Sequence, residues 1–182
     1  MATPTKPMSF ADFEQLPDRE GYRMELHHGE VVYVPPANCK HLFVQDQIRS
    51  LLQNAAGEVG KAATEFGFRP VPEYEYWVAD VGFTVLSRWK GMQAKAYFEG
   101  SPELVVEVLS PSNRRGKMQN KESLCLENGA KQFWRVDLER REVKVSTHEG
   151  KIITYRGGDE IPLFIAAGAT LSVDAIFAPL AE

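Results

Sequence analysis

The stretch from Ser101 to Asp137, SPELVVEVLSPSNRRGKMQNKESLCLENGAKQFWRVD, decides the fold. Its apolar run of Leu104, Val105, Val106, Val108 and Leu109 has the composition of a strand covered on both faces, and Glu107 sits inside that run. Taking an ionised carboxylate out of water is costly unless a metal, a cation or hydrogen bonds compensate. Glu107 is therefore either structurally paired or part of a site. Pro111 ends the strand, and a basic, helix-compatible segment with Arg114, Arg115, Lys117 and Lys121 follows. That segment closes at Gly129, a helix C-cap, before a second β-rich run from Gln132 to Val136 stops at Asp137. Strand, helix and strand in this order predict two parallel strands joined by a right-handed crossover.

Toward the N-terminus, Ser9 can cap a short helix from Phe10 to Leu16, which Pro17-Asp18 breaks. Tyr22 to His27 and Val31 to Val34 read as a hairpin turning at His28-Gly29, and Pro35-Pro36 ends it. From Asn38 to Ala56, Leu42, Phe43, Ile48, Leu51, Leu52 and Ala55 recur at helical spacing, which predicts a long amphipathic helix. Ala63 to Phe68 and Tyr74 to Val78 are weak strand signals. Val81 to Leu86 is a stronger one, with Asp80 at its entrance. Ser87 to Glu99, carrying Arg88, Trp89, Lys90 and Lys95, reads as a long polar loop that could lie over a site or contact DNA.

Beyond Asp137, Glu142 to Thr147 and Lys151 to Tyr155 form a meander around a His148-Glu149-Gly150 turn. Leu163 to Ile165 and Leu171 to Val173 are short apolar pieces, and Asp174 can cap a terminal turn from Ala175 to Phe177. With no internal repeat or linker, residues 1–182 are expected to form a single domain.

The 182 residues are 43% apolar, ordinary for a globular chain, and no run approaches the roughly 20 residues of a membrane span. The N-terminus MATPTKPMSF lacks a secretory layout, so a cytoplasmic protein without membrane partners is expected. Cys39 and Cys125 form no CxxC pair and fall in predicted helices, so reduced thiols are expected in place of a disulfide or a zinc site. A net charge of −4 argues against broad, non-specific nucleic-acid binding, but leaves room for a nuclease whose metal-binding acids raise the acidic count. No phosphate-binding glycine loop, HExxH or GxSxG motif is present.

The chemistry must then come from carboxylates. Glu25, Glu30, Asp80 and Glu107 are the acids on or beside predicted strands. Mg²⁺ takes oxygen ligands, typically one or two carboxylates plus water and substrate phosphate, so two acids on neighbouring strands would serve. Each residue also has a plainer reading. Glu107 can be a structural ion pair, Asp80 a strand or turn cap, and Glu25 and Glu30 surface acids of a strand. Lys117 and Lys121, at i and i+4, can be a solvated helix face, and His41 an ordinary histidine of the helix N-terminus.

Several pieces together resemble the Uma-type restriction endonuclease family, a branch of the PD-(D/E)XK nuclease superfamily. They are MELHHGEVV at 24–32, His41 opening the long helix, ADVGF at 79–83, PELVVEVLSPS at 102–112, Lys121, and FWRVD at 133–137. The resemblance implies an α/β (α+β), restriction-endonuclease-like fold: a mixed β-sheet core flanked by helices, with an N-terminal hairpin and long helix. It implies Mg²⁺, or Mn²⁺, held by Asp80, Glu107 and the main-chain carbonyl of Val108. Catalysis would then be metal-dependent hydrolysis of DNA phosphodiesters, with Lys121 orienting water or stabilising charge and Glu30 in an accessory role.

This chain departs from the superfamily pattern in two places. Pro-Asp is Ala79-Asp80, and the lysine expected two residues after Glu107 is Leu109, so the cation is assigned to Lys121 on the helix. Cys125 has no matched histidine and is not read as a nucleophile. Cutting both strands of DNA suits a homodimer. The competing reading is a catalytically inactive nucleic-acid-binding or regulatory module that keeps the fold, and a third is an interaction protein whose acids only form ion pairs.

Overall fold

The computed structural model describes residues 6–92, 94–109 and 115–180. Pro111 and Arg114, assigned to the end of the strand and the start of the basic segment, lie outside the described residues.

The central βαβ unit forms as predicted. Strand β6 (Leu104–Val108), helix α4 (Arg115–Glu127) and strand β7 (Gln132–Asp137) follow one another, and β6 and β7 pair in parallel with Glu107 opposite Arg135. Around them the chain adds α1 (Phe10–Phe13), the hairpin β1 (Arg23–His27) and β2 (Glu30–Val34), α2 (Cys39–Ala56), β3 (Gly60–Arg69), β4 (Trp77–Val85), α3 (Leu86–Met92) and β5 (Phe98–Glu99). After β7 come β8 (Glu142–Thr147), β9 (Ile152–Tyr155), β10 (Glu160–Pro162), β11 (Thr170–Ser172) and α5 (Val173–Phe177). A mixed seven-stranded sheet runs in the order β5-β3-β4-β6-β7-β8-β9, and β1-β2 and β10-β11 form separate two-stranded sheets.

Helices cover the large sheet on both faces. On one face Val44, Ile48 and Leu52 of α2 and Ile176 and Phe177 of α5 pack on Val106, Val108 and Trp134. On the other, Met118 and Cys125 of α4 pack on Val105 and Phe133. Because strand side chains alternate, Glu107 shares the α4 face with Val105 while its neighbours Val106 and Val108 face α2. An acid in an apolar strand is thereby aimed at a helix that carries lysines.

The β3–β4 pair changes sides along its length. Ala62, Val81 and Phe83 pack with the α2 core, whereas Phe66, Phe68, Trp77 and Ala79 pack with the α4 core. The switch falls at Glu65 and Asp80, which the residue pairing between the two strands skips, and Glu65 has φ of 50°. Such a conformation is uncommon outside glycine, so a locally irregular backbone marks this point of the sheet. Close packing nearby also fixes a glycine: a Cβ on Gly82 would lie 2.5 Å from the Phe66 ring.

Several elements differ from the sequence expectation. The segment from Ser87 to Glu99 is not one long loop. It begins in α3, whose Trp89 and Met92 pack against the α4-side core, and it includes strand β5. Strand β4 is a single strand through Asp80, which therefore sits within the strand and not at its entrance. Asp80 and Gly82, which break the apolar run, hid that continuity. Strand β3 begins at Gly60, and α1 ends at Phe13, short of Leu16. The apolar piece Leu163 to Ile165 lies in a turn, with the Leu163 N–H donating to the Ala169 carbonyl at 2.9 Å. Asp174 lies in the first turn of α5, where its carboxylate accepts the Gly158 N–H at 3.0 Å and no side-chain cap bond forms at Ser172. No helix among the described residues is long and apolar enough to cross a membrane.

Candidate metal and catalytic site

Three elements bring the candidate residues together. Asp80 on β4 and Glu107 on β6 belong to adjacent antiparallel strands, and Lys121 lies one helix further on, facing Glu107 from α4. All three are buried. The Asp80 carboxylate accepts the Val108 N–H through Oδ2 at 2.7 Å, and His41 Nε2 lies 3.1 Å from its Oδ1. Lys121 Nζ lies 2.7 Å from Glu107 Oε1 and donates to the Val78 carbonyl at 2.9 Å. It also sits 5.2 Å from the centre of the Trp77 ring. The lysine thus has the reach that the helix position requires.

The Lys121 ammonium faces Glu107 Oε1 as a charge-assisted partner, which offsets part of the cost of burying both groups. Burial pushes the Glu107 carboxyl up to about 8; Lys121 opposes the rise, and the Asp80 and Glu25 charges add to it. Burial also works against the Lys121 charge, but Glu107 and Glu25 outweigh it and raise its pKa above the usual lysine value. Asp80, Glu107 and Glu25 thus crowd about one lysine, and a divalent cation between Asp80 and Glu107 would favour the ionised form of Glu107.

Beside this core lies a second layer that the sequence only partly indicated. Glu25 on β1 is 3% exposed. It accepts hydrogen bonds from Arg23 at 2.9 Å and contacts His27 Nε2 at 2.8 Å. Burial alone would raise its pKa, but Lys121, the His27 hydrogen bond and Arg23 together hold it at about 2. Arg23 also pairs with Glu65. Gln45 of α2 ties the irregular point of the sheet together, donating to the Asp80 carbonyl at 2.7 Å and to Glu65 at 2.8 Å. The His27 ring stacks on Trp77 at 3.7 Å and 5°.

Apart from Gln45, these groups line one cavity of about 880 Å³, bounded by the β1–β2 hairpin, the start of α2, β4, β6 and α4. Glu30 does not line it: the residue is exposed at the start of β2. Glu25 occupies the place that Glu30 was expected to approach, because strand alternation puts Glu25 and His27 on the same face of β1. That spacing was visible in MELHH. Gln45 was legible in principle as a polar residue on the buried stripe of α2, four residues after His41. Glu65 gave no signal, since nothing in its local sequence marks a left-handed backbone.

The donor set suits a hard, water-rich cation better than a closed metal cage. Among the described residues no three His, Cys, Asp or Glu side chains converge as a metal-binding cluster. Two carboxylates on adjacent strands match the sparse protein ligation that Mg²⁺ usually has. Structural zinc, by contrast, takes four protein ligands, typically cysteine and histidine. Cys125 adds nothing to the chemistry, because burial first and Glu107 among other charges raise its thiol to about 12.

This architecture is that of a nuclease-like fold. A putative nuclease belonging to DUF820 from Anabaena variabilis shares it with a TM-score of 0.81 and 20% sequence identity, over 96% of this chain and 100% of that one. The Uma2 family model, described as "Putative restriction endonuclease", matches residues 10–174, and the chain belongs to that family. None of the curated proteins matches it.

Proposed function

We propose that the chain is a divalent-metal-dependent endonuclease that hydrolyses DNA phosphodiesters. The observation that carries this reading is the placement of Lys121 2.7 Å from Glu107, beside the Asp80 carboxylate that Val108 N–H holds at 2.7 Å. A lysine out of reach of the two acids would have favoured the binding-module reading over cleavage. Asp80, Glu107 and the Val108 carbonyl would hold Mg²⁺ or Mn²⁺. When bound, the ion supplies Lewis acidity toward a phosphate oxygen and lowers the pKa of water.

The chain's own residues supply the rest. His41 and Val108 N–H fix the two oxygens of Asp80, so that its carboxylate is oriented before substrate arrives. Lys121 directs its charge at the acids and would offset the negative charge that grows on the phosphate during attack. Glu25, in place of exposed Glu30, takes the accessory role of holding water at the cavity floor. A second copy related by a two-fold axis would offer a second cavity to the opposite strand.

Incubating supercoiled plasmid with the protein tests the reading. Conversion to nicked or linear DNA is expected with Mg²⁺ or Mn²⁺ and not with EDTA, and Asp80→Asn should lower the rate at least about a hundredfold. Cleavage that persists in EDTA, or that Asp80→Asn leaves at the parental rate, contradicts it.

A further inference from the structure

We propose that the rim built from Tyr22, Tyr33 and Arg19 stacks an unpaired nucleobase, so that the strand to be cut enters the cavity with its bases unpaired. The inference rests on the nuclease reading and adds a substrate class to it. Tyr22 and Tyr33 are 45% and 42% exposed, although each is a large ring that burial would favour. Both line the cavity that holds Asp80, Glu107 and Lys121. Their rings meet edge to face at 6.3 Å and 81°, and the Arg19 guanidinium lies 4.9 Å from one ring centre and 4.5 Å from the other. Three flat groups are thus assembled in water at the mouth of the site.

The flat groups of the rim, more than its charges, point to bases. Among the described lining residues the lysine and arginine side chains are already committed: Arg23 to Glu25 and Glu65, and Lys121 to Glu107. The whole chain carries a net charge of −4. Duplex and single strand both carry phosphates, so what sets an unpaired strand apart at this rim is the open face of its bases. An unpaired base presents a π-face, which stacks on tyrosine rings and on guanidinium planes. Pro35, Pro36 and Leu42, all exposed, add apolar surface to the same lining. The cavity's 880 Å³ falls within the roughly 300–1,000 Å³ of sites that enclose small ligands. A strand frayed or locally opened from a duplex satisfies the same chemistry as a free single strand.

Fluorescence anisotropy in EDTA, with labelled oligonucleotides and the full chain, tests this without turnover. The probes are single-stranded DNA, single-stranded RNA of the same sequence, the DNA duplex, and a DNA strand of abasic sites that keeps the phosphates. At least one single strand should bind more tightly than the duplex, and the abasic strand should lose that affinity. Tyr22→Ala and Tyr33→Ala should each weaken single-strand binding by roughly 5- to 150-fold, the range of one lost base–aromatic stack. Tyr22→Phe and Tyr33→Phe should restore it, with unchanged melting temperatures showing that the fold is intact. Equal affinity for abasic and normal strands, equal or tighter affinity for the duplex, or parental binding by the alanine variants would overturn the inference. If the parent still cuts plasmid in Mg²⁺ in any of those cases, the nuclease reading stands alone; a parent that neither binds nor cuts nucleic acid removes both.

Discussion

At Glu107, burial works directly against the charge of the carboxylate. Its carboxyl is raised from 4.5 to about 8, chiefly by burial and partly by Asp80. Below about pH 4.5 the group is protonated in both folded and unfolded chains and costs nothing. As pH rises toward 8 the unfolded chain releases the proton first, so this residue's contribution to stability is progressively lost. In EDTA, the urea midpoint of the parent should therefore fall, relative to Glu107→Gln, between about pH 5 and pH 8, and Mg²⁺ should close the gap at pH 8. Parallel pH profiles for the two proteins would show that Glu107 does not hold its proton. Glu25 behaves oppositely. Held at about 2, it contributes stability above its ordinary range that disappears only as pH falls toward 2.

At the scale of elements, the first turn of α2 connects sequence to site most directly. Asn38 caps the helix by accepting the His41 N–H at 3.0 Å, and the same histidine's ring touches Asp80. Asn38→Ala should cost about 0.5–2 kcal/mol in thermal or urea unfolding, the range for a lost N-cap. An unchanged midpoint would mean that tertiary packing alone holds this turn. The sequence made α2, the β1–β2 hairpin and the β6-α4-β7 unit legible because each has a strong local pattern: helical apolar spacing, Gly29 in a turn, and apolar runs flanking a capped helix. Strand β4 was split because Asp80 and Gly82 interrupt its apolar pattern, and only the pairing with β3 and β6 restores continuity. Helix α3 looked like a loop because its burial comes through Trp89 and Met92 against distant strands, which local composition does not reveal.

For the whole molecule, the fold acts by converging residues far apart in the chain. Asp80 and Glu107 could be singled out as acids among apolar neighbours, and Lys121 by its place after the strand, but their meeting depends on a sheet order that no local pattern states. The second layer of Glu25, Gln45 and Glu65 was less legible still, because it is assembled by the left-handed backbone at Glu65 and by the hairpin folding over β4. The resulting cavity combines a charged floor with an aromatic mouth, consistent with chemistry at the floor and substrate selection at the rim.

The most direct test of that convergence is anomalous diffraction from crystals grown or soaked with Mn²⁺. A peak within coordinating distance of both the Asp80 and Glu107 carboxylates, and absent from crystals of Asp80→Asn, is the predicted result. Well-ordered density at both acids with no peak between them, or a peak held by other residues, would contradict the metal-dependent site.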